Sequence, residues 1–115
     1  MDVPQERKPT ILVVDDDYSS LNFFSYSMSK LKFDVLRAQS GREAQDIIQR
    51  EGVANIDCIL TDYRMPAMTG LELLTWIKEK DESLSTIIVT AEGEKQLVRD
   101  SLREGACDFL EKPVK

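Results

Sequence analysis

Asp15-Asp16-Asp17, Asp62, Thr90 and Lys112 are the residues of this 115-residue chain best suited to chemistry, and each closes a short apolar run. Ile11-Leu12-Val13-Val14 leads into the three aspartates and Cys58-Ile59-Leu60-Thr61 into Asp62. Ile87-Ile88-Val89 leads into Thr90, and Phe109-Leu110-Glu111 into Lys112-Pro113. Such runs read as buried parallel strands, and in open α/β sheets the ligand site lies outside the strands' carboxyl ends. Side by side, these strands would gather carboxylates, a hydroxyl and an ammonium on one edge. Crowded carboxylates repel unless a cation sits among them, and oxygen ligands completed by water suit Mg²⁺, or Mn²⁺ in its place. Beside such an ion and opposite Lys112, the Asp62 carboxylate becomes a nucleophile towards a phosphoryl group. Lys112 supplies a point charge for the transferred oxygens and Thr90 a hydroxyl donor. Asp17 reads equally as the N-cap of the following helix or as a further site acid.

The elements that must position these groups alternate between strand and helix from Thr10 onward. The first strand, Ile11 to Val14, precedes a helix from about Tyr18 to Leu31, with Leu21, Phe24, Met28 and Leu31 on one face. Phe33 to Ala38 reads as a strand, and Ser40-Gly41-Arg42-Glu43 as a capping box opening a helix that turns Ala44, Ile47 and Ile48 inward and stops at Gly52. Asp57 to Asp62 is the third strand. Thr69-Gly70-Leu71-Glu72 is a second capping box; its helix buries either Leu71, Leu74 and Ile77 or, if rotated, Leu73 and Trp76. Thr86 to Thr90 is the fourth strand. A helix from Glu94 to Glu104 carries Leu97, Val98, Ser101 and Leu102 on one face and ends at Gly105, and Ala106 to Leu110 is the fifth strand. Alternation of this kind implies βαβ units and a parallel sheet.

Composition narrows the function. The length supports one domain with one core. A net charge of −6 argues against a nucleic-acid surface. No apolar stretch approaches the roughly 20 residues of a membrane span, and no signal-peptide core is present. Cys58 and Cys107 read as reduced, buried small hydrophobes of a cytoplasmic protein. The chain contains no histidine, which removes Ser-His-Asp catalysis, His-ligated zinc and phosphohistidine carriage by the chain itself.

From about Thr10 to Val114 the chain resembles a bacterial response-regulator receiver domain. The resemblance rests on Ile11-Leu-Val-Val-Asp-Asp-Asp17, Asp62-Tyr-Arg-Met-Pro66 with Gly70, Val89-Thr-Ala91 and Lys112-Pro113, in the family's order and spacing. It implies a flavodoxin-like α/β fold with a five-stranded parallel sheet of order 2-1-3-4-5, and a phosphorylation-controlled switch instead of a turnover enzyme. It further implies Asp62 as phosphoacceptor, Asp15 and Asp16 as Mg²⁺-site acids and the Arg64 backbone carbonyl as a further ligand. Thr90 and Lys112 become the phosphate-sensing pair and Phe109 the aromatic switch, which lacks a tyrosine's hydroxyl and must move by packing alone. The implied donor is a sensor histidine kinase or phosphotransfer protein, and the implied recipient an output domain or effector. Arg64 and Glu92, two residues past Asp62 and Thr90, could pair across the site mouth and slow water attack on the acyl phosphate.

On this reading residues 1–9 are a loose leader and 10–115 a receiver domain cut before its last helix, since the chain stops three residues after Lys112. Apolar surface beside the last strand is then expected to be uncovered, favouring association, homodimerisation included. The rival reading is a haloacid-dehalogenase-like phosphatase, with Asp15-Asp16-Asp17-Tyr18-Ser19 as Asp-x-Asp-x-Ser and Thr90 and Lys112 as later motifs. It leaves Asp62 without a role, and no acidic pair follows Lys112. A pseudo-receiver that only binds partners would need a missing site residue, and none is missing.

Overall fold

The computed structural model describes residues 8–91, 94–106 and 108–112. The elements run β1 (Thr10–Val14), α1 (Tyr18–Lys30), β2 (Asp34–Ala38), α2 (Gly41–Glu51), β3 (Cys58–Asp62), α3 (Gly70–Lys80), β4 (Ser85–Ala91), α4 (Lys95–Arg103) and β5 (Asp108–Lys112), with a short 3₁₀ turn at Val53–Asn55. The strands form one parallel sheet in the order β2-β1-β3-β4-β5. This is the expected flavodoxin-like arrangement.

Local chemistry accounts for the helix ends. Ser40 accepts a hydrogen bond from the Glu43 N–H to open α2, and Thr69 and Glu72 form a complete capping box at α3. Gly52 and Gly105, at φ +89° and +107°, take the left-handed backbone that ends α2 and α4. At the end of α1 the apolar spacing misleads. The helix stops at Lys30, Leu31 caps it and is 65 % exposed, and Lys32 takes φ +73° to turn the chain into β2. A lysine there bears a steric cost that glycine avoids. Lys32→Gly should therefore raise stability by about 0.5 kcal/mol, measured by urea unfolding; an unchanged or lower midpoint would refute it.

Side chains alternate across the sheet, which divides the core in two. Ile11, Val13, Leu60 and Val89 pack with Leu21 and Phe24 of α1. Leu12, Val14 and Ile59 pack on the other face with Ala44, Ile47 and Ile48 of α2 and Leu73 and Ile77 of α3, while Leu74 meets Ile88 and Ala106. Full burial of each valine, leucine, isoleucine or phenylalanine side chain among these contributes about 1.5–3 kcal/mol. The two candidate stripes of α3 merge: Leu73, Leu74 and Ile77 are buried, and Leu71 and Trp76 flank them partly covered. In α4, Leu102 is exposed rather than turned inward.

Several expected boundaries shift. The fifth strand begins at Asp108, paired with Ile87, two residues later than its apolar run suggests, and Lys112 is its last residue. The leader is tied down at Pro9, whose carbonyl accepts from the Asp34 N–H at 2.9 Å; residues 1–7 lie outside the described residues. Cys58 is half-buried and Cys107 lies outside the described residues. Among the described residues no helix is long and apolar enough to cross a membrane. On the α1 face Ile11, Phe23, Met28, Leu60, Ile87 and Leu110 line an open apolar groove of about 310 Å³.

Candidate phosphoryl site

Alternation and register assemble the site. Cys58, Leu60 and Asp62 of β3 fall on the α1 face, as do Ile87 and Val89 of β4 and, across the register Ile87↔Asp108 and Ala91↔Lys112, Leu110 and Lys112 of β5. Asp15 extends β1 by one residue, its N–H donating to the Ala38 carbonyl at 3.1 Å. Three strand ends thereby bring Asp15, Asp62 and Lys112 together.

Lys112 Nζ lies 3.0 Å from Asp15 Oδ2 and 3.6 Å from Asp62 Oδ1. Asp15 is 1 % exposed and Asp62 9 %. Ligand oxygens of Asp15, Asp16 and Asp62 all lie within 4.8 Å of one another, with Asp16 facing solvent. Burial, reinforced by the Asp15 charge and opposed by Lys112, pushes the Asp62 carboxyl up to about 6. Burial also pulls the Lys112 ammonium down, but its bond to Asp15 and the charges of Asp62 and Asp15 outweigh this and hold it above the ordinary lysine range.

Asp17 resolves as the helix cap. Its Oδ2 accepts from the Ser20 N–H at 3.0 Å and the Ser20 hydroxyl at 2.7 Å, and the hydroxyl bond foremost holds its carboxyl below the usual range. Its own N–H donates to Asp15 Oδ1 at 2.9 Å, so the cap also orients the buried acid. Ser20 is the site residue the sequence reading missed: its hydroxyl lies 3.4 Å from Lys112 Nζ, linking the cap to the ammonium. Only its position three residues after Asp17 could have signalled it.

Thr90 has the opposite parity to Val89. It is 1 % exposed, and its Oγ1 has no hydrogen-bond partner among the described residues. Phe109, paired with Ile88, is half-buried. The Arg64 side chain turns to Glu94, Nε to Oε1 at 2.6 Å; the expected partner Glu92 lies outside the described residues. The loop carrying Arg64 is anchored where α3 meets it, Gly70 N–H donating to the Tyr63 carbonyl at 2.8 Å.

Over residues 11–115 the sequence matches the family of the response regulator receiver domain. The chain belongs to this family. The receiver domain is 35 % identical over 112 residues to the two-component response regulator ORR3 of Oryza sativa subsp. indica, covering 96 % of this chain and 84 % of the relative. A receiver-domain protein from Clostridium thermocellum superposes with a TM-score of 0.88 at 32 % identity, covering 93 % of this chain and 84 % of that one. The CheX-CheY-BeF3-Mg complex from Borrelia burgdorferi gives 0.87 at 31 % identity, covering 93 % and 80 %. The receiver domain is thus a phosphoacceptor signalling module of two-component systems. The phosphatase reading gives way to this assignment, and its second acid, Asp17, is occupied in capping α1.

Proposed function

We propose that Asp62 is the phosphoryl acceptor of this receiver domain and that Asp15, Asp16 and Lys112 supply the charge that makes the transfer feasible. The observation that carries this is the convergence of three carboxylates within 4.8 Å with one ammonium 3.6 Å from Asp62. Such a cluster, oxygen-only and short of positive charge, fits a hard divalent cation. Asp15, Asp16 and Asp62 would hold Mg²⁺, with the Arg64 carbonyl as a further ligand. Bound there, Mg²⁺ offsets the negative charge of the incoming phosphoryl group. The Borrelia burgdorferi neighbour, a complex that contains BeF3 and Mg, supports this reading.

The residues then act in sequence. The Asp62 carboxylate attacks the phosphorus of a phosphohistidine on a partner kinase or phosphotransfer protein. The P–N bond breaks, its electron pair returns to the imidazole, and an acyl phosphate remains on Asp62. Lys112 stays beside the new oxygens, and the buried Thr90 hydroxyl, without a partner among the described residues, turns to donate to one of them. That movement carries the state of Asp62 into β4 and the start of α4, with Phe109 adjusting on β5, and changes the surface offered to an output domain or effector.

Incubation with acetyl phosphate and a magnesium salt should add one phosphoryl group to the protein, seen by intact mass, and Asp62→Asn should abolish it. Uptake surviving in Asp62→Asn but lost in Asp15→Asn would sink this assignment and restore the phosphatase chemistry.

A further inference from the structure

Arg64 and Glu94 tie together two segments at the carboxyl edge of the sheet. Arg64 follows Asp62 by two residues, and Glu94 immediately precedes α4, three residues after β4 ends. Because Asp62 pairs with Val89, the two segments leave neighbouring strand ends. The Arg64 side chain is 70 % exposed and that of Glu94 only 17 %. Glu94 occupies the N-cap position of α4, yet its side chain makes no capping bond. Its Oε1 is engaged by Arg64, and its buried Oε2 has no hydrogen-bond partner among the described residues. A residue placed to finish a helix is instead committed to holding a guanidinium.

That guanidinium already feels Asp62, whose charge adds a small part to the field dominated by its bond to Glu94. Phosphorylation changes the balance. An acyl phosphate on Asp62 carries more negative charge than the carboxylate it replaces and presents three acceptor oxygens, and a guanidinium binds phosphate oxygens in forked fashion. Two anions then compete for one arginine. We propose that Glu94 is a positioning residue that withholds Arg64 from the phosphoryl group on Asp62 and thereby shortens the lifetime of the acyl phosphate. This rests on Asp62 being the acceptor.

The step affected is hydrolysis. Water oxygen attacks phosphorus, the bond from phosphorus to the Asp62 oxygen breaks with its electrons returning to the carboxylate, and inorganic phosphate leaves with the water's proton passing to solvent. Arg64 lying over the phosphoryl oxygens hinders the water's approach; Arg64 held by Glu94 leaves it open. The bond that ties Arg64 to α4 thus sets the timer in the direction opposite to a shield across the site.

The test follows loss of the phosphoryl group, after loading with acetyl phosphate and removing excess donor, in the whole chain and in Glu94→Gln, Arg64→Gln and the double variant. Glu94→Gln should lengthen the lifetime by about two- to fivefold, the range set by a partly exposed ion pair. Arg64→Gln should not lengthen it, and adding Glu94→Gln to Arg64→Gln should change nothing more. An unchanged or shorter lifetime in Glu94→Gln overturns the proposal, as does a Glu94→Gln effect that persists without Arg64. Equal urea midpoints for wild type and Glu94→Gln separate this role from a merely structural one, and a lifetime gain that only tracks a shifted midpoint also overturns it. Asp62→Asn in the same assay isolates the underlying reading: phosphoryl uptake by that variant would overturn the acceptor assignment itself.

Discussion

Gly70→Ala should cost the domain about 2–3 kcal/mol of stability and slow phosphoryl uptake by Asp62 by roughly a hundredfold. The reason is backbone contact, not conformational freedom. A Cβ at Gly70 would press into the Asp62 carbonyl oxygen and lie 3.0 Å from Tyr63 Cα and 3.1 Å from the Asp62 carbonyl carbon. No side chain can swing aside to relieve this, so α3 or the end of β3 must move. Either movement strains the Gly70 N–H bond to the Tyr63 carbonyl and shifts the Asp62 backbone. Urea unfolding and the acetyl phosphate uptake rate read the two effects separately. A Gly70→Ala domain of native stability and normal uptake would show that this junction yields freely.

Lys112→Met should remove about 2–3 kcal/mol near pH 7.5 in metal-free buffer, and the loss should shrink on acidification or on adding a divalent cation. Without the ammonium, the Asp15 carboxylate keeps only the Asp17 N–H as a donor among the described residues, and Asp62 loses the positive charge at 3.6 Å. The sign of the pH effect follows from Asp62. Its carboxyl titrates at about 6 in the fold against the ordinary 3.8. The folded state therefore binds more protons between about pH 4 and 6, and Asp62 makes stability fall as pH rises through that window. Lys112 limits this cost where Asp62 is ionised and matters least where a proton has taken its place. Unfolding at about pH 5 and pH 7.5, with and without Mg²⁺, checks it. An equal loss in every condition would mean that Lys112 acts through packing of its stem alone.

Most of the architecture could be read from the chain because strand runs and helix caps are local signals. Ile11–Val14, the Ser40 cap, the Thr69 capping box and the stop at Gly52 all stand where their chemistry puts them, although Glu43 reaches the Gln39 N–H and leaves the Ser40 box half-formed. The misses share one cause: tertiary partners overrode a local pattern. Leu31 completes an apolar stripe, but the chain must turn at Lys32 to reach β2, and that leaves Leu31 outside. Ala106 is apolar because it packs on Leu74 and Ile88, not because the ladder has begun, and this moves β5 later. The charged site was legible by type and spacing, yet the two ambiguous members needed coordinates. Asp17 was assigned to the helix by Ser20. Arg64 was drawn to Glu94 by the placement of α4, which no spacing rule from Thr90 contains.

The shared face of Asp15, Asp62 and Lys112 has a consequence for how this chain can vary in length. Strand side chains alternate, so deleting one residue within Asp108–Lys112 would slip the remainder across the sheet and send the ammonium to the opposite side, away from both carboxylates. Adding one residue between Cys58 and Asp62 would do the same to Asp62. Length changes at the Val53–Asn55 turn, whose Val53 and Ala54 stand before β3 and leave its register alone, carry no such penalty. Conservative apolar exchanges at Leu60 or Leu110 leave the phase of the strand intact. The core of this domain can thus drift in composition while its strands stay locked in step, and single-residue gaps should be confined to the connections.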